Sequence, residues 1–170
     1  MPDLFDDIGF PAPAPRVLMS LHAEYYELIM AGQKVFEYRK RYATDAPSTW
    51  IVYLNAPVSR LTAVIDLGEP ITGSPAEIAA IAEHARPGNG EPVRSYLEPA
   101  GRGVALPIQR VREYSGFTAD DLAAALGKWH PPQGYILVDR NPALAALCDE
   151  LAAGAIVREL QLQPHASAVP

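Results

Sequence analysis

The stretch that decides the fold is Gly32-Gln33-Lys34-Val35-Phe36-Glu37-Tyr38-Arg39, because it joins two different periodic patterns. Just before it, Tyr25, Leu28 and Ile29 recur at helical spacing. This spacing predicts a helix from about Ala23 to Ala31, which the glycine at the start of the stretch ends. The chain is therefore expected to turn from a short helix directly into the charged segment.

The charged segment itself alternates in the manner of a strand. Phe36 and Tyr38 are predicted to point one way, and Glu37 and Arg39 the other. Residues two apart on one face are separated by about 6.6 Å, which lets the carboxylate and the guanidinium meet. Lys34 belongs to the opposite face if the strand is regular from there onward. The lysine joins the other two only if the turn before the strand redirects it.

Patterns outside this stretch predict further strands and short helices without strict alternation. Strands are predicted at Arg16–Leu21, Trp50–Asn55, Leu61–Leu67, Val104–Tyr114 and Tyr135–Asp139. Helices are predicted from a capping box at Ser74 to about His84, over Ala119–Leu126 with Thr118 as its cap, and from Asn141 to Gly154, with a short turn or helix around Val93–Leu97. Long strands joined by short turns favour an α+β fold, a small and mostly antiparallel β-barrel with helices at its rim. Pro107 requires an edge or a bulge in its strand.

The composition fits one globular domain. The chain has 170 residues, 49% of them apolar and 20% charged. No apolar run approaches the roughly 18–20 residues of a membrane span, and the acidic start lacks the features of a signal peptide. We therefore expect a cytoplasmic protein without membrane contact. The predicted organisation is a flexible arm over residues 1–15, a domain over 16–160 and a flexible tail over 161–170.

The charges are unevenly distributed. The net charge is −6, which disfavours coating of nucleic acid by bulk attraction. Four cationic residues and one carboxylate nevertheless occupy the short segment from Lys34 to Arg41. Such a basic island on an acidic body indicates one localised site for an anionic ligand. The alternative is an ordinary ion pair on a solvated sheet face, which contributes about 0–1 kcal/mol.

The motif G-x-K-x-x-E-x-R, followed by this order of elements, resembles the ASCH domain family. The resemblance covers about residues 16–140. It implies a PUA-like β-barrel and a role in binding RNA, a nucleotide or a modified nucleoside. The ligand-binding residues it favours, together with the local charge, are Lys34, Glu37, Arg39, Arg41 and, as a stacking aromatic, Tyr53.

One branch of the family hydrolyses the acyl amide of N4-acetylcytidine, and some members are reported as ribonucleases. The amidohydrolase set is a lysine, a threonine three residues later and a glutamate near a later strand. The lysine corresponds to Lys34, the threonine is replaced by Glu37, and the glutamate is matched loosely by Glu69. The resemblance leaves open whether the chain is an enzyme, and Lys34, Glu37 and Glu69 are the catalytic candidates if it is.

Two further expectations concern cofactors and partners. Cys148 is the single cysteine and the histidines are scattered, so no metal site and no cofactor is expected. The segment Asp3-Leu4-Phe5 resembles the short motif by which bacterial proteins dock on the replication sliding clamp. It offers a third hypothesis, an adaptor recruited through its N-terminal arm. The sequence does not predict the oligomeric state.

Overall fold

One long strand organises the sheet by changing neighbours at its middle. In the computed structural model, which describes residues 13–163, this strand is β6 (Gly103–Thr118). Its first part pairs with β2 (Phe36–Arg39) and β5 (Ile71–Gly73). Its second part pairs with β4 (Arg60–Leu67) and β8 (Ile156–Gln161). The change of neighbours curls the sheet.

The remaining elements complete a mixed sheet in the order β2-β6-β4-β3-β1-β7, and residues 13–163 place five α-helices around it. The other strands are β1 (Arg16–Leu21), β3 (Ser48–Leu54) and β7 (Ile136–Leu137). The helices are α1 (Ala23–Met30), α2 (Pro75–Ala85), α3 (Gly90–Leu97), α4 (Ala119–Leu126) and α5 (Pro142–Ala152). All strand pairs are antiparallel except β1 with β3. The predicted α+β, mostly antiparallel PUA-like fold is confirmed.

The parallel pair creates the edge on which the candidate site is built. Leu21 at the end of β1 lies beside Leu54 at the end of β3. Because parallel strands run in the same direction, both chains leave the sheet at one edge. The residues at the ends of these strands and just after them, Ser20–His22 and Asn55, therefore face a common space.

Three apolar clusters hold the layers together. The largest lies between the sheet and α1, and contains Trp50, whose indole Nε1 donates to the Met19 carbonyl at 3.1 Å. A second cluster packs α4 and α5 on the opposite face of β3. In the third, α2 and α3 pack against β2 and β6 through residues such as Ile78 and Leu97. The third cluster fixes α3 beside β2, the strand that carries Glu37 and Arg39.

Several predicted element boundaries and signals are confirmed. Ser74 and Thr118 each close a capping box at the start of α2 and α4. Asn141 caps α5 by accepting from the Leu144 amide. Pro107 lies at the change of neighbours in β6, beside the pairing irregularity between Asp66 and Leu67 of β4.

Other details of the prediction are wrong. The strand predicted at Tyr135–Asp139 is only Ile136–Leu137, because the chain turns into a 3-10 helix at Val138. The inward residue of α1 is Tyr26 rather than Tyr25. Strand β8 extends to Gln161, the first residue of the predicted tail.

The clamp-like segment Asp3-Leu4-Phe5 lies outside the described residues. Within residues 13–163, no helix is long and apolar enough to span a bilayer.

Candidate ligand-binding pocket

The turn between α1 and β2 places Lys34 where its ammonium reaches the Glu37 carboxylate. Gly32 adopts a left-handed conformation with φ of 75° and donates to the Ile29 carbonyl. The amides of Gln33 and Lys34 both donate to the Leu28 carbonyl, at 2.9 and 3.0 Å. This pattern is the Schellman motif, which glycine favours because it has no Cβ. Since β2 begins only at Phe36, the lysine precedes the strand and is free of its alternation.

Lys34, Glu37 and Arg39 form one charged cluster. The Lys34 ammonium Nζ lies 3.1 Å from Glu37 Oε2, and Arg39 Nε lies 3.0 Å from Glu37 Oε1. Lys34 Nζ also donates to the Phe36 carbonyl at 2.7 Å. Arg39 Nη2 donates to the Ser20 carbonyl at 3.2 Å. The carboxylate therefore holds two cations in fixed positions, and the arginine ties β2 to the end of β1.

The cluster is largely withdrawn from solvent. The side chains of Glu37, Lys34 and Arg39 are 8%, 14% and 17% exposed. Charge pairs at such burial interact more strongly than exposed ones, and the loss of one partner leaves an uncompensated charge. These exposures do not fit the alternative of an ordinary pair on a solvated face.

Arg39 keeps hydrogen-bonding capacity for a ligand. Its Nε lies close to the Glu37 carboxylate without the geometry of a hydrogen bond, and so counts as an unpartnered buried donor. Its Nη1 has no hydrogen-bond acceptor among the described residues. A guanidinium oriented in this way can present donors to a phosphate or to the edge of a base.

Tyr38 adds a protonated phenol beside the cluster. Lys34 Nζ lies 5.1 Å from the centroid of its ring, within the range of a cation–π contact. Burial, and then the charge of Glu37, raise the pKa of Tyr38. The phenol therefore remains neutral at physiological pH.

The cluster lines a pocket of about 480 Å³, which we call the motif pocket. The ends of β1 and β3 supply one side, through Ser20–His22 and Asn55. The start of α1, the turn after it and β2 supply the floor. The opposite wall comes from the end of α2, the following loop and α3, with Arg86, Asn89 and Tyr96. The pocket is thus a crevice where parallel strands end, closed on its far side by α3.

Two exposed tyrosines stand at the rim of the motif pocket. Tyr25 on α1 is 43% exposed and Tyr96 on α3 is 44% exposed. The ammonium of Lys40 lies 5.0 Å from the centroid of the Tyr96 ring. Sequence reasoning missed Tyr96, Arg86 and Asn55 as site residues. No local signal marks the first two, because only the packing of α2 and α3 against β2 brings them here.

Three of the predicted site residues lie elsewhere. Tyr53 is buried, with its ring 5.0 Å from that of Trp129, because β3 is a central strand covered on both faces. Its ring has no free face for a base, and the stacking prediction is wrong. Arg41 is exposed just beyond the end of β2 and does not line the motif pocket.

Glu69 lines a different cavity. This second cavity, which we call the Gln109 pocket, has a volume of about 530 Å³ and lies beside the end of β4. Its lining includes Glu69, Asp66, Gln109 and Arg110. The three residues of the predicted catalytic set are therefore not gathered in one pocket. Across residues 13–163, no three potential metal ligands come together either.

The elements and their pairing define an α+β protein with a curled, PUA-like sheet. Residues 19–99 match the family model of the ASCH domain. Every residue that lines the motif pocket lies within that range. The resemblance predicted from the motif is thereby confirmed.

Solved structures of an ASCH protein from Zymomonas mobilis have similar folds. One covers 81% of this chain and 95% of its own length, at 17% identity with a TM-score of 0.69. A serine-to-alanine variant covers 81% and 96%, at 18% identity with a TM-score of 0.69. A tyrosine-to-phenylalanine variant covers 83% and 99%, at 17% identity with a TM-score of 0.64. At such identities the likeness shows the fold alone. The curated proteins include no significant match.

Proposed function

We propose that the chain is an RNA- or nucleotide-binding domain that holds one nucleotide-sized group in the motif pocket. The observation that carries this proposal is the convergence of Lys34, Glu37 and Arg39 inside one concavity. In this proposal Lys34 and Arg39 bind phosphate or carbonyl oxygens of the ligand. Glu37 orients Arg39 and accepts a hydrogen bond from an amino group of the base.

Charge and size support this kind of ligand. Three cations, Lys34, Arg39 and Arg86, and one carboxylate line the motif pocket, although the whole chain carries a net charge of −6. The lining of the pocket is positive although the whole chain is acidic, so the pocket attracts an anion locally while the chain repels long polyanions. Its volume falls in the range of small-molecule sites, about 300–1,000 Å³.

Binding measurements with matched variants test the proposal. The probes are the four 5′-ribonucleoside monophosphates, their single-stranded homopentamers and N4-acetylcytidine, measured by calorimetry or fluorescence anisotropy. We expect at least one probe to bind, and Arg39→Ala to weaken it by about tenfold or more. Arg140→Ala, which removes an exposed arginine outside the pocket, is expected to have no effect.

Because Arg39→Ala leaves Glu37 with one cation, the double variant Glu37→Gln with Arg39→Gln is measured beside it. A thermal melt verifies that each variant is folded. If no probe binds, or if Arg39→Ala and the folded double variant bind as the parent does, the proposal is wrong.

The hydrolase hypothesis has less support, because Glu69 lines the Gln109 pocket instead of the motif pocket. Glu37 also has each of its carboxylate oxygens in an ion pair, one with Lys34 and one with Arg39, so neither oxygen is free to contact a water. The parent chain would be shown to be a hydrolase if it lowered the absorbance of N4-acetylcytidine on incubation and the Lys34→Ala variant did not. The adaptor hypothesis stays a prediction for the arm, and deletion of residues 1–12 tests it through loss of partner capture.

A further inference from the structure

We infer that the group in the motif pocket is one nucleotide of a single-stranded RNA, and that Tyr96 with Lys40 forms a subsite for the neighbouring nucleotide. The inference rests on the proposed function and extends it from a single nucleotide to a polymer. It starts from the exposed aromatic residues.

Exposed tyrosines are concentrated at this pocket. Among the described residues, the tyrosines with more than a third of their surface exposed are Tyr25, Tyr96 and Tyr135, at 43%, 44% and 44%. The first two line the motif pocket, and the third does not. An exposed aromatic face beside a cationic pocket is the feature on which bases of single strands stack.

Tyr96 is held on a firmly anchored helix. Its neighbours Val93 and Leu97 are buried in the cluster that packs α2 and α3 against the sheet. The carboxylate of Glu83 accepts hydrogen bonds from the amides of Gly88 and Gly90, between 2.9 and 3.1 Å, where α3 begins. Because the helix that carries Tyr96 is already anchored, stacking a base on its ring has a small entropic cost.

The cations at this rim are available for phosphates. Lys40 Nζ lies over the Tyr96 ring, and no carboxylate within residues 13–163 forms an ion pair with it. Arg86, which lines the pocket, hydrogen-bonds to Asn89 without a carboxylate partner in the described part of the chain. By contrast Arg16, Arg110 and Arg158 are each neutralised by carboxylates. The rim thus combines a stacking face with uncompensated positive charge.

This combination fits a single strand rather than a duplex. The inner cluster reads the group inside the pocket, and the rim contacts the adjacent base and phosphate. Bases of a duplex are already stacked and paired, so they cannot enter the motif pocket or lie on an aromatic side chain without being unpaired. The negative charge of the remaining surface also disfavours a long duplex.

Comparing a mononucleotide with its homopentamer tests the inference. The probes are the ribonucleoside monophosphate that binds most tightly and the single-stranded pentamer of the same base. For the parent chain we expect the pentamer to bind at least about tenfold more tightly. We expect Tyr96→Ala to weaken pentamer binding at least fivefold more than mononucleotide binding, and Tyr96→Phe to retain most of the affinity.

Tyr135→Ala is the matched control, since it removes an equally exposed tyrosine outside the pocket. Lys40→Ala is expected to make the slope of log K against log salt for pentamer binding shallower by the amount that corresponds to about one phosphate contact. Equal binding of the two probes, or equal weakening of both by Tyr96→Ala, would overturn the inference. If Arg39→Ala still weakens mononucleotide binding by about tenfold or more in that case, the proposed function stands. If neither probe binds, both the inference and the proposed function are wrong.

Discussion

For Glu37, the sign of its charge and its position between two cations predict opposite effects on ligand binding. The carboxylate lies between Lys34 and Arg39, at 3.1 and 3.0 Å, in a pocket proposed to receive an anionic ligand. If only net charge mattered, this carboxylate would weaken binding. If it holds the guanidinium in place, it strengthens binding despite its sign.

We expect Glu37→Gln to weaken binding of the mononucleotide by about tenfold, although it makes the pocket more positive. The reason is that Arg39 loses the anion that fixes its orientation. Calorimetric titration measures the effect. Glu159→Gln, which removes the partner of Arg110 at a distant surface, serves as the control. Tighter binding by Glu37→Gln would contradict the role assigned to the carboxylate.

At this scale the sequence predicts the centre of the site better than its walls. Alternation along β2 predicts that Glu37 and Arg39 share a face, whereas the glycine predicts only the end of α1 and leaves the placement of Lys34 open. Tyr96 and Arg86 come from α3 and the end of α2, whose approach depends on the packing of the whole cluster. The prediction for Tyr53 is wrong because alternation does not tell whether the outer face of a strand is covered by helices.

Among the elements, β6 depends on a glycine where its pairing with β4 is irregular. Gly116 has φ of 71°, and a Cβ at this position would lie 1.9 Å from the Leu61 carbonyl oxygen. The close approach allows the register shift between Leu61 and Ala63. The site therefore combines a left-handed backbone with a steric limit, and both exclude other residues.

We expect Gly116→Ala to lower the free energy of unfolding by about 3–4 kcal/mol. Gly101→Ala is the control, because Gly101 also has positive φ, 67°, but nothing lies within 4 Å of its Cβ position. That variant should lose only about 1–2 kcal/mol. Urea denaturation measures both. Equal losses would show that the contact with Leu61 is not limiting.

A second element-scale feature is the network that attaches β8 to the domain. Arg158 Nε and Nη2 each donate to the Glu113 carboxylate at 2.8 Å, and Nη2 also donates to Glu27 at 2.9 Å. Hydrogen bonds from Arg158, and a further one from Tyr26, hold the pKa of Glu113 below its usual value. The arginine thus links β8 with β6 and α1.

A lowered carboxyl pKa stabilises the fold above the pKa of the unfolded state, about 4.3, and the contribution is lost as the pH falls through the folded value. We therefore expect Glu113→Gln to be less stable than the parent at neutral pH, with the gap closing below about pH 4. Denaturation at a series of pH values measures it. Glu98→Gln, at an exposed and long ion pair, is the control. A difference in stability between Glu113→Gln and the parent that does not change with pH would contradict the role assigned to the lowered pKa of Glu113.

The elements that sequence patterns missed have physical reasons in common. Strand β8 is mostly exposed and interrupted by charge, so it lacks the apolar alternation of a buried strand. Strand β7 is short because Val138, the residue after it, is buried within a 3-10 turn. The longer strands and the capped helices were predictable because local signals and burial agree there.

For the molecule as a whole, the contrast between an acidic body and a positive pocket governs how binding responds to salt. With two or three phosphate contacts from the pocket and its rim, we expect a slope of log K against log salt of about −1.5 to −2 for a single-stranded pentamer. Anisotropy titrations over a range of salt concentrations measure the slope, with Arg140→Ala as the control. A slope near zero would mean that phosphates are not contacted.

The central claim is that the motif pocket is where the ligand binds, and mapping by NMR tests it most directly. Backbone amide shifts are recorded while the tightest-binding mononucleotide is titrated into the full chain. We predict that the largest changes fall on Ser20–His22, Lys34–Arg39 and Asn89–Tyr96, which surround the pocket. Changes centred on Gln109 and Glu69, or spread evenly over the sheet, would contradict the assignment.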